Sequence, residues 1–196
     1  MIRSAELIAF HDGLAPRLAA PVWEAIEANH RNNGLLWAEE DLARRRNVAD
    51  SEIAANKRAI DGYNQKRNDA IERIDEMILG ALENARLAGD ARLNSETAGA
   101  MIDRLSILSL KIRAMRLQTE RKDVDQAHLR TCQQRLERLI EQRGDLAGCL
   151  DRLLAEAARG ETYFKVYRQF KMYNDPKLNP AVYGEKSGEK SGEKKK

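Results

Sequence analysis

Apolar and polar residues share one helical face near the start of this chain. Trp23, Ile26, His30, Asn33, Trp37, Glu40 and Arg44 follow alternating steps of three and four, which stacks them along one side of a helix. A side that carries tryptophans is not readily turned to water, so His30, Asn33, Glu40 and Arg44 are expected indoors, where polar groups need partners. Pro16 and Pro21 hold the preceding chain out of helix and Asn47-Val48-Ala49-Asp50-Ser51 closes the element, which sets this first long helix at residues 22–46. A short opening segment from Ser4 to His11 lies before it and ends at Asp12-Gly13.

The same mixture recurs on the next helix, expected at 52–87. Ile53, Ile60, Ile71, Ile74, Ile78 and Leu82 mark its apolar stripe, and Lys57, Asn64 and Arg67 interrupt it. Asp61, Gln65, Asn68, Glu72 and Asp75 run alongside, again stepped by three and four. Helices joined by so short a loop pack as antiparallel neighbours, which would turn the two polar stripes toward each other. Residues 89–96 read as a loop, with Ser95 or Thr97 capping a third helix. Met101, Ile102, Leu105, Ile107, Leu108, Leu110, Ile112 and Met115 make that helix apolar nearly all round, the mark of a central element, with Asp103, Ser106 and Lys111 as exceptions. A fourth helix at 124–158 carries Leu129, Cys132, Leu136, Leu139, Leu146, Leu150 and Leu153 at heptad spacing, Arg143 stands in for one core residue, and Gly160 is the stop.

The fold class that follows is all-α: a single-domain antiparallel helical bundle over residues 1–183, with an aromatic-rich C-terminal strap and a disordered tail at 184–196. The strap, 163–183, interleaves tyrosines with Arg and Lys. It is expected either to cap the bundle's hydrophobic end or to close over a ligand. The Gly-Glu-Lys-Ser repeats beyond it have nothing apolar to bury.

Composition narrows the function classes. Of the 196 residues 33% are charged and 5% aromatic, and the net charge of +3 owes much to the terminal Lys194-Lys195-Lys196. Arg and Lys are interleaved with Glu and Asp elsewhere, which argues against a nucleic-acid partner, since phosphate recognition concentrates basic charge on one face. No apolar run reaches the roughly 18 residues that cross a bilayer, and the N-terminus lacks a signal-peptide core, so a cytoplasmic protein without a membrane span is expected. Cys132 and Cys149 fall on one helix about 25 Å apart, too far for a disulfide, and are expected to be reduced core thiols.

The candidate chemistry is anionic-ligand or metal chemistry. There is no nucleophile elbow, phosphate loop or dinucleotide fingerprint, so a phosphorylated ligand would be held by side chains. Arg44, Lys57 and Arg67 would grip the anion. Asn64, Gln65 and Asn68 would read hydroxyls, with Asn33, Trp37 and Asp61 completing the set. Glu40, Glu72 and Asp75 are the carboxylates from which a bundle could hold Mg²⁺. His30, on the tryptophan face, is a candidate base, whereas His11 and His128 read as surface or cap residues.

Two resemblances add to this. Glu72-x-x-Asp75 is similar to one half of the metal site in all-α nucleotide pyrophosphohydrolases of the MazG type; the upstream Glu-x-x-Glu element is replaced here by Glu39-Glu40-Asp41. More broadly, Leu36-Trp37-Ala38-Glu39-Glu40-Asp41-Leu42-Ala43-Arg44, the block from Lys57 to Asp69, Ile102-Asp103-Arg104-Leu105-Ser106-Ile107-Leu108, and the block from Tyr167 to Asp175 resemble a bacterial family catalogued as domain of unknown function 4254. That resemblance implies a setting in surface-polysaccharide or lipopolysaccharide assembly, beside a glycosyltransferase. Three readings stand: a binding or accessory protein for a phosphorylated sugar or sugar nucleotide, a Mg²⁺-dependent pyrophosphohydrolase, or a purely structural helical homo-oligomer.

Overall fold

The computed structural model of the protein describes residues 2–170, 172 and 175–188. Two units make up the chain, Met1–Val166 and Tyr167–Lys196. The first contains α1 (Ser4–His11), α2 (Pro21–Leu42), α3 (Asp50–Ala81), β1 (Arg92–Leu93), α4 (Ala98–Thr119), α5 (Gln126–Ala158) and β2 (Thr162–Tyr163). The second holds α6 (Pro180–Gly188).

Local chemistry starts and stops these helices. Pro21 opens α2, where its missing N–H costs nothing. The Thr97 hydroxyl accepts from Ala100 N at 3.1 Å to cap α4, and the Asp125 carboxylate accepts from His128 N at 2.7 Å to cap α5. α2 ends at Leu42 rather than near residue 46, because Arg44 and Arg45 turn back and donate to the carbonyls of Glu40 and Leu42. α3 ends at Ala81 rather than 87, where its apolar stripe runs out after Leu82. After α5 the chain turns at Gly160, whose φ of 74° lies in the left-handed region and where any Cβ would run into the Arg86 carbonyl.

That turn creates a structure that hydrophobic periodicity cannot show. The segment expected as a plain loop pairs in parallel with the chain leaving α5, Arg92 opposite Thr162 and Leu93 opposite Tyr163. Arg92 N donates to Glu161 O at 3.0 Å and Asn94 N to Tyr163 O at 2.7 Å.

α2 packs along α3 and α4 along α5, and α4 also touches α1, α2 and α3. The helix that is apolar nearly all round therefore occupies the middle, as expected. Trp23 and Ile26, Ile74 and Ile78, Ile102 and Leu105, and Leu150 and Leu154 supply the core from α2, α3, α4 and α5 in turn, with Leu7 and Phe164 at its margins. Gly99 lets α4 approach α3 closely, since a Cβ there would sit 2.6 Å from Ile71 O.

Three expectations need adjustment. Cys132 is buried but Cys149 is exposed, and both are free thiols. Phe164 of the expected strap belongs to the core of the first unit, while Tyr167, Phe170 and Met172 of the second unit are exposed. The tail expected to lose order at Gly184 continues as α6 to Gly188, and the rest of it lies outside the described residues.

Candidate functional site

The polar stripe of α2 is partly buried, but its main partner is α4. Asn29, Asn33, Asp103 and Ser106 all lie out of solvent. Asn29 Nδ2 and Asn33 Nδ2 each donate to Asp103 Oδ1 at 2.8 Å, and Asn33 Nδ2 also reaches Ser106 Oγ at 3.0 Å. A carboxylate only accepts, so these contacts fix which way both amides point. The expectation that α2 and α3 would turn polar groups toward each other is met in part: Asn56 of α3 donates to Glu39 of α2 at 2.7 Å, whereas the buried amides of α2 go to α4. Asp103 and Ser106, one turn apart on the buried side of α4, supply what α2 needs.

From Ser106 the buried polar groups continue to α1. His30 Nδ1 lies 2.8 Å from Ser106 Oγ, and the His30 ring stacks on His11 with centroids 4.7 Å apart. His11 is not a surface residue. Its ring is buried and neither nitrogen has a hydrogen-bond partner. Burial first, and then the neighbouring His30 and Arg143, push His11 down from 6.5 to about 3, and burial lowers His30 as well against the pull of Asp12. Beside them Arg143 fills its core position by pairing with Asp12, through contacts of 2.7 and 2.9 Å, and by donating to Ser109 Oγ at 3.2 Å.

Where this network reaches the surface, a cleft of about 310 Å³ opens between α2, α3 and α4. Asn33, Trp37, Arg44, Asn64 and Arg67 line it, together with Glu40 and Asp41. Of the residues expected to bind a ligand, those first five are brought together. Asn33 joins the two regions: its Nδ2 is committed to Asp103 and Ser106, which leaves its Oδ1 as the free half of the amide. Arg44 is held by Glu40, with Nη1 2.7 Å from Oε2. Arg67 is different. Its Nη2 has a long contact of 3.4 Å to Asn68 Oδ1, and its Nε is buried with no hydrogen-bond partner.

The other four candidates lie outside this cleft. Lys57 pairs with Asp61 at 2.7 Å, and Gln65 donates to Asp69 at 2.7 Å, both one turn along the exposed side of α3. Asn68 is buried. Nor do Glu40, Glu72 and Asp75 gather into one site. Glu40 sits in the cleft, whereas Asp75 is buried against the start of α4, where its Oδ1 accepts from Gly99 N at 2.6 Å. Burial pushes Asp75 up from 3.8 to about 6, against the pull of Thr97 and Gly99, with the Glu72 charge adding a smaller push. Among the described residues no three His, Cys, Asp or Glu side chains are grouped to hold a metal. No helix among them is long and apolar enough to cross a membrane.

Sequence reasoning marked Asp103 and Ser106 only as polar exceptions on α4 and did not select Asn29. Their signal was present as polar letters inside apolar stripes, but only the packing of α2 on α4 shows which of them meet.

A family model described as protein of unknown function (DUF4254) matches residues 23–166, and so ends at the residue where the first unit ends. No curated protein and no solved structure matches the chain.

Proposed function

The chain belongs to the DUF4254 family, a family described only by its unknown function, and we propose from its site that it binds a phosphorylated sugar or sugar nucleotide in the cleft between α2, α3 and α4. One observation carries the reading: Arg67 lines this cleft with no carboxylate partner among the described residues, its Nη2 held only by a 3.4 Å contact to Asn68 and its Nε buried without an acceptor. A buried N–H without an acceptor is costly, and a guanidinium is shaped to meet phosphate oxygens. Asn33 and Asn64 supply amides for hydroxyls, and Trp37 supplies a flat apolar face for a sugar ring. The volume lies at the lower end of the roughly 300–1,000 Å³ usual for small-molecule sites.

The buried network behind the cleft supports this role by holding Asn33 in register with α4. Antiparallel packing of α2 on α3 and the aromatic segment as a strap belong to the same proposal, as do a cytoplasmic location and a glycosyltransferase partner in surface-glycan assembly. The last rests on the family resemblance alone. Lys57, Asp61 and Gln65 are left out of the binding set, because each is satisfied on the outer side of α3.

Thermal denaturation with a panel of sugar 1-phosphates and nucleoside-diphosphate sugars tests the reading. A ligand at one hundred times its Kd adds about 2.7 kcal/mol, enough to raise Tm by several degrees. Arg67→Ala and Asn64→Ala should abolish that rise. If no member of the panel moves Tm, the reading is wrong.

A further inference from the structure

The cleft does not end at Trp37. Trp37 and Asp41 also line a second cavity of about 540 Å³ that extends between α4 and α5 and contains Lys111, Arg135 and Arg138. The two spaces differ in charge. In the cleft Arg44 and Arg67 face Glu40 and Asp41, which is balanced. In the second cavity three cations face Asp41 alone. Arg138 is neutralised by Glu141 at 2.7 Å. Lys111 and Arg135 have no ion-pair partner among the described residues.

Some exposed cations of this chain find a carboxylate three or four residues away, as Arg44 does with Glu40 and Lys57 with Asp61, whereas Lys111 and Arg135 do not and share one cavity. Around Lys111 those positions are Ile107, Leu108, Ala114 and Met115, and around Arg135 they are Thr131, Cys132, Arg138 and Leu139. The sequence provides neither with an acid three or four residues away, and tertiary packing brings only Asp41 to the cavity, without an ion pair to either. Two unneutralised cations in one concavity repel each other and raise the local concentration of anions.

We infer that this cavity is a second anion subsite and that the bound molecule carries two linked phosphates, as a nucleoside-diphosphate sugar does. The inference rests on the cleft being the sugar-phosphate site. The sugar and its own phosphate lie with Asn33, Asn64 and Arg67. Past Trp37, which stands at the junction, the second phosphate and the nucleoside lie along Lys111 and Arg135.

Isothermal titration calorimetry with hexose 1-phosphates and the corresponding nucleoside-diphosphate hexoses separates the two claims. The diphosphate-linked ligand should bind at least tenfold more tightly than its monophosphate, with an affinity that falls as salt is raised. The double variant Lys111→Ala/Arg135→Ala should bring the two ligands to equal affinity. Both side chains are exposed on long helices, and a circular-dichroism melt checks that the variant is folded. Arg67→Ala should abolish binding of both ligands. Equal affinities in the unaltered protein, or an advantage that survives the double variant, would overturn the second subsite while leaving the cleft reading intact. Binding of neither class would remove the cleft reading, and the second subsite with it.

Discussion

Two parts of the polar stripes, one on α2 and one on α3, have similar spacing in the sequence and opposite fates in the fold. On α2, Asn29 and Asn33 turn inward and bind Asp103 and Ser106 of α4. On α3, Lys57, Asp61, Gln65 and Asp69 turn outward and bind each other one turn apart. Helical periodicity places side chains on a face without saying what that face meets. A polar group that finds its complement at i+4 has no need of a tertiary partner and can stay in water. Asn29 and Asn33 have each other one turn apart, yet their contact is a long 3.4 Å, and both send Nδ2 to Asp103 on another element.

Breaking the inward stripe should have the largest effect. Asp103→Ala strips the acceptor from two buried amides, and leaving such donors unsatisfied should cost roughly 3 kcal/mol, read as a lower urea midpoint at unchanged m-value. Asp103→Asn keeps one acceptor oxygen and should lose less than half of that. The contrast on α3 is Asp61→Ala, for which an exposed i,i+4 pair predicts a change of about 0.5 kcal/mol or less. Equal losses at the two positions would erase the distinction between the stripes.

Acid should sharpen the comparison at an intermediate scale. His11 falls from 6.5 unfolded to about 3 folded, so the unfolded chain takes a proton that the folded chain refuses in that range. Its contribution is whole above pH 6.5 and is lost as pH falls toward 3, by up to about 1.4 kcal/mol per pH unit. Asp75 has the opposite sign. Raised from 3.8 to about 6, it holds a proton in the folded state that the unfolded chain releases, so its contribution is present below pH 3.8 and lost as pH rises through 6. Between pH 3.8 and 6 the two contributions nearly cancel, so stability should fall with rising pH in His11→Leu and fall with dropping pH in Asp75→Asn, as melts across that range would show. The smallest effect on stability is expected at Arg67, whose Nε makes no hydrogen bond: Arg67→Ala should change the melt of the ligand-free protein little while removing its response to ligand.

The helices were legible because burial of a stripe is a local, periodic property. α1 has the expected bounds, the cap at Thr97 is one of the two that were expected, and α4 touches four other elements as its apolar residues led one to expect. The cleft was legible in half. Trp37, Arg44, Asn64 and Arg67 could be selected by spacing, whereas Lys57 and Gln65 carried the same kind of signal and ended outside it. His11 looked like a helix-end residue, and it is one; its burial comes from α1 packing on α4 and α5, which no local pattern records.

The order of letters determined which segments become long helices, which of their residues are apolar, and that Lys111 and Arg135 would have no acid three or four residues away. Tertiary structure decided that Asn33 meets Asp103, that His11 lies on His30, and that a cleft stays open beside Arg67. The physical reason is range. Helix hydrogen bonds and caps act over three or four residues of one chain segment, while pairing a buried polar group depends on contacts between residues some 70 positions apart.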